Sequence, residues 1–253
     1  MNIEKLRECW QAEESIARIK GWDFSHIDGK FKSKENEMPW NYKRVIQKYM
    51  KDSDRIMDID TGGGEFLLSL NHPYELTSAT EGYVPNAALC KQILNPLGID
   101  FREMKNYACM PFEDEEFDIV INRHGAYDAK EIYRVLKPGG IFITQQVGED
   151  NDWELIKRLL PETKKKFPGH NLQKQVKLFE QNGFTVLEQD EVYRPIYFYD
   201  TGALVWFAKI IEWEFIDFSV SRCFEQLLET EKEIKEQGFI EGTVHRFYFV
   251  VKK

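Results

Sequence analysis

Three carboxylates surround a run of three glycines in the segment RIMDIDTGGGEF, residues 55–66. Asp58 and Asp60 lie before the glycines, and Glu65 follows them directly. Glycine lets a backbone approach a ligand closely, and a loop between a strand and a helix presents its amides to that ligand. A phosphate would be repelled by the neighbouring acids. The segment therefore favours a ligand with positive charge at the loop, although Glu65 could equally face solvent.

S-adenosylmethionine carries positive charge on its sulfonium and amino groups. It is favoured here over NAD, whose pyrophosphate lies at a helix N-terminus in dinucleotide-binding folds. Glu81 lies 17 residues beyond Gly64, at the end of the next predicted strand. An acid at this position can accept hydrogen bonds from both ribose hydroxyls. Because both cofactors contain ribose, Glu81 supports a nucleotide site without deciding between them.

Further polar side chains follow two predicted strands, EFDIVIN and IFITQQV, whose carboxyl ends should lie beside the cofactor. His124 is a candidate general base because its unperturbed pKa is about 6.5. The alternative is a hydrogen-bonded structural histidine. Arg123 could pair with an acidic substrate or with a nearby carboxylate. Alternation along a strand points either Gln145 or Gln146 toward the pocket, where an amide could orient a polar acceptor.

Aromatic residues are candidates for the walls of the site. Trp40 and Tyr42 belong to a predicted helix ahead of the first strand and could close the cofactor site, although core packing explains them equally well. A second aromatic set precedes the last strand and could line an apolar acceptor pocket or form ordinary core. Its members are Tyr197, Phe198, Tyr199, Trp206, Phe207 and Trp213.

These residues need a scaffold that brings strand ends together. Strands alternate with helices from residue 55 onward, which predicts a mostly parallel sheet with helices on both faces. The predicted strands are RIMDID, ELTSATE, IDFREMKN, EFDIVIN, IFITQQV, FTVLEQDEVY and HRFYFVVKK. The predicted helices between them are EFLLSL, PNAALCKQILNPLG, DAKEIYRVLKPGG and NLQKQVKLFEQNGF. Asp128 and Glu131 match a capping box at the start of the third of these helices.

One domain is predicted for the whole chain, residues 1–253. Two helices, at residues 3–20 and from Pro39 onward, form an extension, with a loop between them from Gly21 to Met38. A long apolar insertion before the last strand is either a set of core helices or a cap over a ligand pocket. The predicted parts are an N-terminal helical extension 1–50, a cofactor-binding core 51–193, a helical cap insertion 194–243 and a final strand 244–253.

Four segments, MDIDTGGGE, ATEGY, MPFEDEEFDIVINRH and EIYRVLKPGGIFI, resemble in order and spacing the motifs of class I S-adenosylmethionine-dependent methyltransferases. The resemblance covers about residues 50–190. It implies a doubly wound α/β fold with seven strands in the order 3-2-1-4-5-7-6, the seventh antiparallel. HRFYFVVKK would be the seventh strand. The long insertion before it departs from the minimal fold of the family.

The resemblance also implies cofactor contacts. The family often places an acid where Asn106 stands, to hold the adenine amino group, and the Asn106 carbonyl could accept the same hydrogen bond. The backbone amide of Ala108 would be available to the ring. The residues expected to contact the cofactor are Asp58, Asp60, Thr61, Gly62, Gly63, Gly64, Glu81, Gly82, Asn106, Tyr107 and Asn122.

One residue departs from the family pattern, since Asp60 replaces the usual first glycine of the loop. A side chain at this position must fit beside the methionine part of the cofactor. Its carboxylate could pair with the ligand's ammonium group, or it could weaken cofactor binding. We favour pairing, because Asp58 and Glu65 give the loop the same electrostatic preference.

Composition narrows the functional classes. The chain of 253 residues is 42% hydrophobic and can fill a core, and its net charge of −9 argues against a general phosphate-backbone binder. Four scattered cysteines without metal-ligand spacing indicate reduced thiols and no metal site. No secretion signal and no run of about 18 apolar residues is found, so a cytoplasmic protein without a membrane span is expected.

The sequence thus predicts an enzyme that transfers a methyl group from S-adenosylmethionine to oxygen, nitrogen or carbon of a small molecule. An RNA or protein methyltransferase is one alternative, which a basic, exposed cleft would support. A non-catalytic S-adenosylmethionine-binding module is another. An NAD oxidoreductase would have to tolerate the acids around the glycine loop.

Overall fold

The computed structural model describes residues 2–18, 23–34 and 37–253, and its chain divides into two compact units. The sheet unit comprises residues 39–148, 169–192 and 246–253. The helical unit comprises residues 1–38, 149–168 and 193–245. Each unit is therefore assembled from three separate segments of chain. Whether the helical unit caps a ligand pocket remains a prediction.

The strands belong to one sheet with the order β1-β7-β8-β6-β5-β2-β3-β4 within the described residues. Strands β2 to β6 pair in parallel, and β8 pairs antiparallel with β6. The bounds are β1 Phe31–Ser33, β2 Ile56–Ile59, β3 Thr77–Glu81, β4 Asp100–Glu103, β5 Phe117–Arg123, β6 Leu136–Val147, β7 Thr185–Phe198 and β8 Ile240–Lys252. From β2 onward this is the predicted seven-strand order with an antiparallel last strand, so the α/β prediction is confirmed. β1 adds an eighth strand.

The helices that connect these strands follow the expected alternation. Asn41, Asp128 and Asn171 each accept a backbone amide at a helix start, which explains where three of the helices begin. The bounds are α1 Ile3–Ile16, α2 Tyr42–Tyr49, α3 Glu65–Ser69, α4 Val84–Ile93, α5 Ala129–Val135, α6 Trp153–Leu159, α7 Leu172–Gln181, α8 Thr201–Ile210 and α9 Phe224–Gln237.

Apolar residues of the sheet unit form a separate core on each face of the sheet. Met57 and Ile59 of β2 belong to one core, and Ile56 of the same strand belongs to the other. This division follows from the alternation of side chains along a strand. Because both faces are covered, the central strands are apolar throughout, as parallel strands in α/β folds usually are.

The helical unit has its own core. The Trp10 ring of α1 meets Phe224 of α9 with centroids 5.8 Å apart, and almost every residue of α8 is buried. β1 pairs antiparallel with the end of β7, with Phe31 opposite Phe198. Helix α8 contains the apolar segment ALVWFAKI and is enclosed on nearly every face.

Several predicted element bounds are wrong. β7 continues to Phe198 through residues assigned to the insertion, and β8 begins at Ile240. α5 ends at Val135, and LKPGG opens β6 instead of stopping the helix. Pro39 lies outside α2, whose N-cap is Asn41. α6 and β1 were not predicted, and parts of the predicted helix 3–20 and loop 21–38 lie outside the described residues.

Candidate cofactor and acceptor site

The glycine loop joins β2 to α3 and is pinned to the neighbouring strand β3. The Thr61 amide donates to the Thr80 carbonyl at 3.0 Å, and the Gly62 amide donates to Glu81 Oε2 at 2.9 Å. Gly62 and Gly64 have positive φ, where a side chain would be strained. A carbon atom added at Gly62 would meet no heavy atom within 4 Å. Open space therefore lies over the loop, where a ligand can approach its backbone.

Glu81 is buried at the end of β3, as the sequence predicts. Its two oxygens accept different backbone amides, Gly62 at 2.9 Å and Tyr83 at 2.8 Å. The carboxylate therefore fixes the shape of the loop. Oε2 also lies 3.5 Å from the Asn86 amide, and Oε1 keeps a further acceptor site for a ligand hydroxyl. No pattern in the sequence indicated this structural role.

Asp60 adopts a left-handed backbone conformation, φ 54°, at the position of the replaced glycine. Its Oδ2 accepts a 2.6 Å hydrogen bond from the Tyr107 hydroxyl, whereas Oδ1 is buried without a well-formed partner among the described residues. Burial, reinforced by the negative charge of Glu81, raises the pKa of Asp60 to about 6 despite hydrogen bonds from the Tyr107 hydroxyl and the Ala126 backbone amide. An unpaired buried carboxylate oxygen is costly and suits a cationic ligand group.

Asp58 lies two residues earlier in β2 and is buried. Burial raises its pKa to about 7, and the charges of Asp60 and Glu81 act in the same direction, while the Thr61 hydroxyl and the Arg123 charge oppose the rise. Arg123 is exposed and its guanidinium lies 4.4 Å from the centre of the Phe66 ring. The loop therefore holds excess negative potential that a bound cation would relieve.

Three other glycines near the loop have close neighbours at the position where a side chain would begin. A carbon added at Gly82 would lie 2.5 Å from the Met104 carbonyl oxygen. At Gly63 it would meet only the flexible Glu65 side chain. At Gly125 it would lie 2.7 Å from Asp60 and from the Asn122 amide. Gly125 was missed in the sequence, where it stands alone after His124 with no motif around it.

The predicted adenine contacts lie on an exposed turn after β4. Asn106 Oδ1 accepts the Ala108 amide at 3.1 Å, so the two groups expected to meet the ring bond each other. Tyr107 is half-buried and reaches Asp60 instead. The turn is thereby connected to the glycine loop, and contact of Asn106 with adenine remains a prediction.

Asn122 lies at the end of β5 with no exposed surface. Its Nδ2 donates to the Ile59 carbonyl at 3.0 Å, and its Oδ1 accepts from Gln146 Nε2 at 2.6 Å and from the Thr144 hydroxyl at 3.2 Å. These bonds occupy the Asn122 side chain, and contact of Asn122 with the cofactor stays a prediction. Asn122 and Gln146 hold the ends of β2, β5 and β6 in register behind the loop.

Tyr42 is also a structural residue. It is buried in the core, and its hydroxyl lies within hydrogen-bonding distance of the Asn122 and Ile143 carbonyls at 2.8 and 3.0 Å. Of the two readings given for Tyr42, the structure therefore supports core packing.

Trp40, Gln145 and His124 form a connected series at the same strand ends. The Trp40 indole donates to Gln145 Oε1 at 2.8 Å, and Gln145 Nε2 lies 3.2 Å from His124 Nε2. His124 follows β5 directly, with φ 62°, and keeps exposed surface, while the protein around it partly desolvates the ring. This desolvation lowers its pKa, and the Arg246 and Arg123 charges lower it further. His124 is therefore neutral at neutral pH.

The segment that carries most of these residues is similar to a known family. Residues 57–144 match a family described as a methyltransferase domain. An uncharacterised protein of Methanocaldococcus jannaschii is 33% identical over 108 residues, which span 40% of each chain.

Two solved structures share the fold. A proposed methyltransferase of Bacillus halodurans C-125 aligns with a TM-score of 0.59 and 16% identity, over 84% of this chain and 98% of its own. A protein of unknown function from Deinococcus radiodurans R1 aligns with a TM-score of 0.57 and 8% identity, over 98% of both chains.

Residues 57–144 are therefore similar to a methyltransferase domain, which agrees with the resemblance noted in the sequence for this segment. The residues present suit S-adenosylmethionine, since open space lies above Gly62 and the buried Asp60 carboxylate can accept a further hydrogen bond. Among the described residues, no cluster of histidine, cysteine or carboxylate side chains is arranged for a metal ion, and no helix is long and apolar enough to cross a membrane.

Proposed function

We propose that this protein transfers the methyl group of S-adenosylmethionine to a small-molecule acceptor at oxygen, nitrogen or carbon. The observation that carries the proposal is the acidic glycine loop, in which Asp60 keeps one buried carboxylate oxygen without a well-formed partner. When bound, the cofactor supplies an activated methyl group on a sulfonium. The chain then has to align the acceptor and exclude water.

Each part of the cofactor has a candidate partner. We assign the ribose hydroxyls to Glu81, whose Oε1 retains acceptor capacity after binding the Tyr83 amide. We assign the amino group of the methionine part to Asp60, because its Oδ1 can accept from an ammonium. The adenine would lie against the Asn106–Tyr107 turn. These assignments put positive ligand groups where the protein's own charge is negative.

The acceptor is assigned to the strand ends that carry Arg123, His124 and Gln145. The net charge of −9 and the carboxylates around the loop disfavour a polyanionic acceptor such as RNA. This supports a small molecule over a nucleic acid.

Calorimetric titration of the purified protein with S-adenosylmethionine, S-adenosylhomocysteine, NAD and NADH tests the proposal. We expect binding of the first pair only. Glu81→Gln should weaken that binding at least about tenfold, because it removes a charged acceptor from the ribose site and keeps the side-chain volume. Glu103→Gln is the matched control, since Glu103 is an exposed acid on the next strand.

Binding of NAD alone, or of none of the four ligands, would overturn the proposal. With cofactor binding established, conversion of S-adenosylmethionine to S-adenosylhomocysteine in the presence of pooled small molecules identifies the acceptor. Conversion that requires RNA or a protein would support the alternative macromolecular acceptors.

A further inference from the structure

The orientation of the Gln145 amide is fixed by its neighbour. An indole nitrogen can only donate a hydrogen bond, so the atom of Gln145 that faces Trp40 at 2.8 Å must be the oxygen. The amide nitrogen, which can only donate, then faces His124 Nε2 at 3.2 Å. The His124 nitrogen that accepts this hydrogen bond cannot carry a proton.

Trp40 is held in place by its own contacts, which keep the Gln145 amide in this orientation. Its ring packs on Tyr248 with centroids 4.9 Å apart, and the Tyr248 hydroxyl donates to Glu188 at 2.8 Å. If Gln145 turned over, its amide nitrogen would oppose the Trp40 N–H. If His124 took a proton at Nε2, two donors would face each other there. Either change leaves a polar group unpaired, which costs free energy.

The other ring nitrogen of His124, Nδ1, has different surroundings. His124 is exposed, and Nδ1 has no hydrogen-bond partner in the described part of the chain. A neutral imidazole with an unprotonated Nε2 carries its proton on Nδ1. The nitrogen free to meet a ligand is therefore a hydrogen-bond donor.

We propose that Trp40 and Gln145 are positioning residues that hold His124 as the neutral imidazole protonated on Nδ1, so that the ring donates a hydrogen bond and does not act as a base at Nε2. This inference refines the proposed function and rests on it for the role of the site in methyl transfer. The charged groups that act on the ring, Arg123 and Arg246, both disfavour a second proton.

The consequence concerns the chemical class of the acceptor. A base is required only when the acceptor must lose its proton early in methyl transfer. With His124 fixed as a donor, the acceptor should reach the site with a lone pair already available, as a neutral amine or a phenolate does. A nearby oxygen or ring nitrogen of the acceptor would accept from Nδ1.

Long-range proton–nitrogen NMR of the ¹⁵N-labelled full chain tests the inference without any ligand. Loss of one signal set in His124→Asn assigns the ring. We expect the wild-type ring to show a protonated Nδ1 and to stay neutral well below its ordinary pKa. Trp40→Phe keeps a ring on Tyr248 but removes the donor, so Gln145 can turn over. The titration midpoint should then rise by about one pH unit.

Gln145→Glu is the second variant. Its carboxylate can accept from both Trp40 and a protonated Nε2, so the midpoint should rise further and the tautomer should change. Trp153→Phe, at a partly exposed tryptophan of α6, should leave the His124 signals unchanged. A protonated Nε2 in the wild type, or the wild-type titration in both Trp40→Phe and Gln145→Glu, would overturn the inference. Failure of S-adenosylmethionine to bind would instead overturn the proposed function and leave the tautomer assignment intact.

Discussion

Asp60 combines backbone strain with a buried charge at one position. A left-handed backbone costs a non-glycine residue on the order of 1 kcal/mol, although aspartate tolerates it better than most residues. The hydrogen bond from the Tyr107 hydroxyl stabilises only one oxygen of this buried carboxylate, Oδ2. The conformation is that of the glycine that Asp60 replaces, so the loop keeps its shape and gains a charge beside the open space over Gly62.

Replacing Asp60 with glycine should therefore raise the stability of the apo protein and weaken its binding of S-adenosylmethionine. Asp60→Gly removes the strain and an incompletely paired buried carboxylate, so the apo protein should unfold at a higher temperature, with a gain of about 1 kcal/mol. Affinity for S-adenosylmethionine should fall because the ammonium loses its partner. Scanning calorimetry and titration calorimetry measure the two effects.

Asp60→Asn is the matched control, because asparagine also tolerates the left-handed region and can still accept from Tyr107. Asp60→Asn should bind S-adenosylmethionine more weakly than the wild type and should gain less stability than Asp60→Gly. Cofactor binding by Asp60→Gly as tight as that of the wild type would contradict a role of Asp60 in pairing.

The raised pKa values of Asp58, about 7, and Asp60, about 6, make stability depend on pH. In the unfolded chain both carboxyls ionise near about 3.9. The folded state thus favours the protonated forms, and this contribution to stability is lost as pH rises through 6 to 7. Between about pH 5 and pH 8 the apo protein should lose a few kcal/mol relative to Asp58→Asn.

A cationic ligand favours the ionised carboxylates, so the stabilisation by S-adenosylmethionine should increase over the same pH range. Thermal unfolding with and without ligand measures both trends. A wild-type profile parallel to that of Asp58→Asn would show that the buried carboxyl does not titrate in this range.

At the scale of elements, Glu188 of β7 connects three parts of the sheet unit. Its Oε2 accepts from Lys48 and, at 2.9 Å, from the Tyr49 hydroxyl, both at the end of α2. Its Oε1 accepts from Tyr248 of β8 at 2.8 Å. Because Tyr248 supports Trp40, the position of α2 and the orientation of Gln145 depend on the same carboxylate.

Glu188→Gln should destabilise the protein by about 1–2 kcal/mol, because an amide replaces a charged acceptor of several hydrogen bonds. The Lys48 pair contributes little, since Lys48 is largely exposed. Urea unfolding measures the change, with Glu180→Gln on the exposed face of α7 as control. Equal stability of the two variants would show that Glu188 does not tether α2.

The sequence predicted the alternating core well because its strands and helices differ in hydrophobic period and are separated by glycines. Glu81 and the glycine loop were located for the same reason. Local patterns could not show that Asn122 turns inward, since its partners Thr144 and Gln146 are distant in sequence. Tyr42 was ambiguous for the same reason, and the strand β1 is too short to show a period.

At the scale of the whole molecule, the two units interleave along the chain, so no continuous segment contains either of them. The last strand is essential to the sheet unit, because its residues 246–252 pair with β6 across seven register positions from Val147 to Ile141. Strand β8 also lies between β6 and β7 in the sheet order. Removing it would expose the pairing edge of a central strand and much of the core.

A fragment of residues 39–192 should therefore fail to fold cooperatively, although it contains the whole region matched by the methyltransferase domain family. A version with residues 246–253 joined through a flexible linker should recover a cooperative thermal transition. Circular dichroism measures the transition in each. A sharp transition in the shorter fragment would show that β8 is dispensable.

The left-handed position of Asp60 also has a genetic consequence. Aspartate and glycine codons differ at a single base, so the relaxed residue is always one point mutation away. Selection for thermal resistance and selection for cofactor-dependent growth should then rank these two residues in opposite orders. In a mutant library at position 60, glycine should be enriched by selection for folding stability and aspartate by selection for ligand binding.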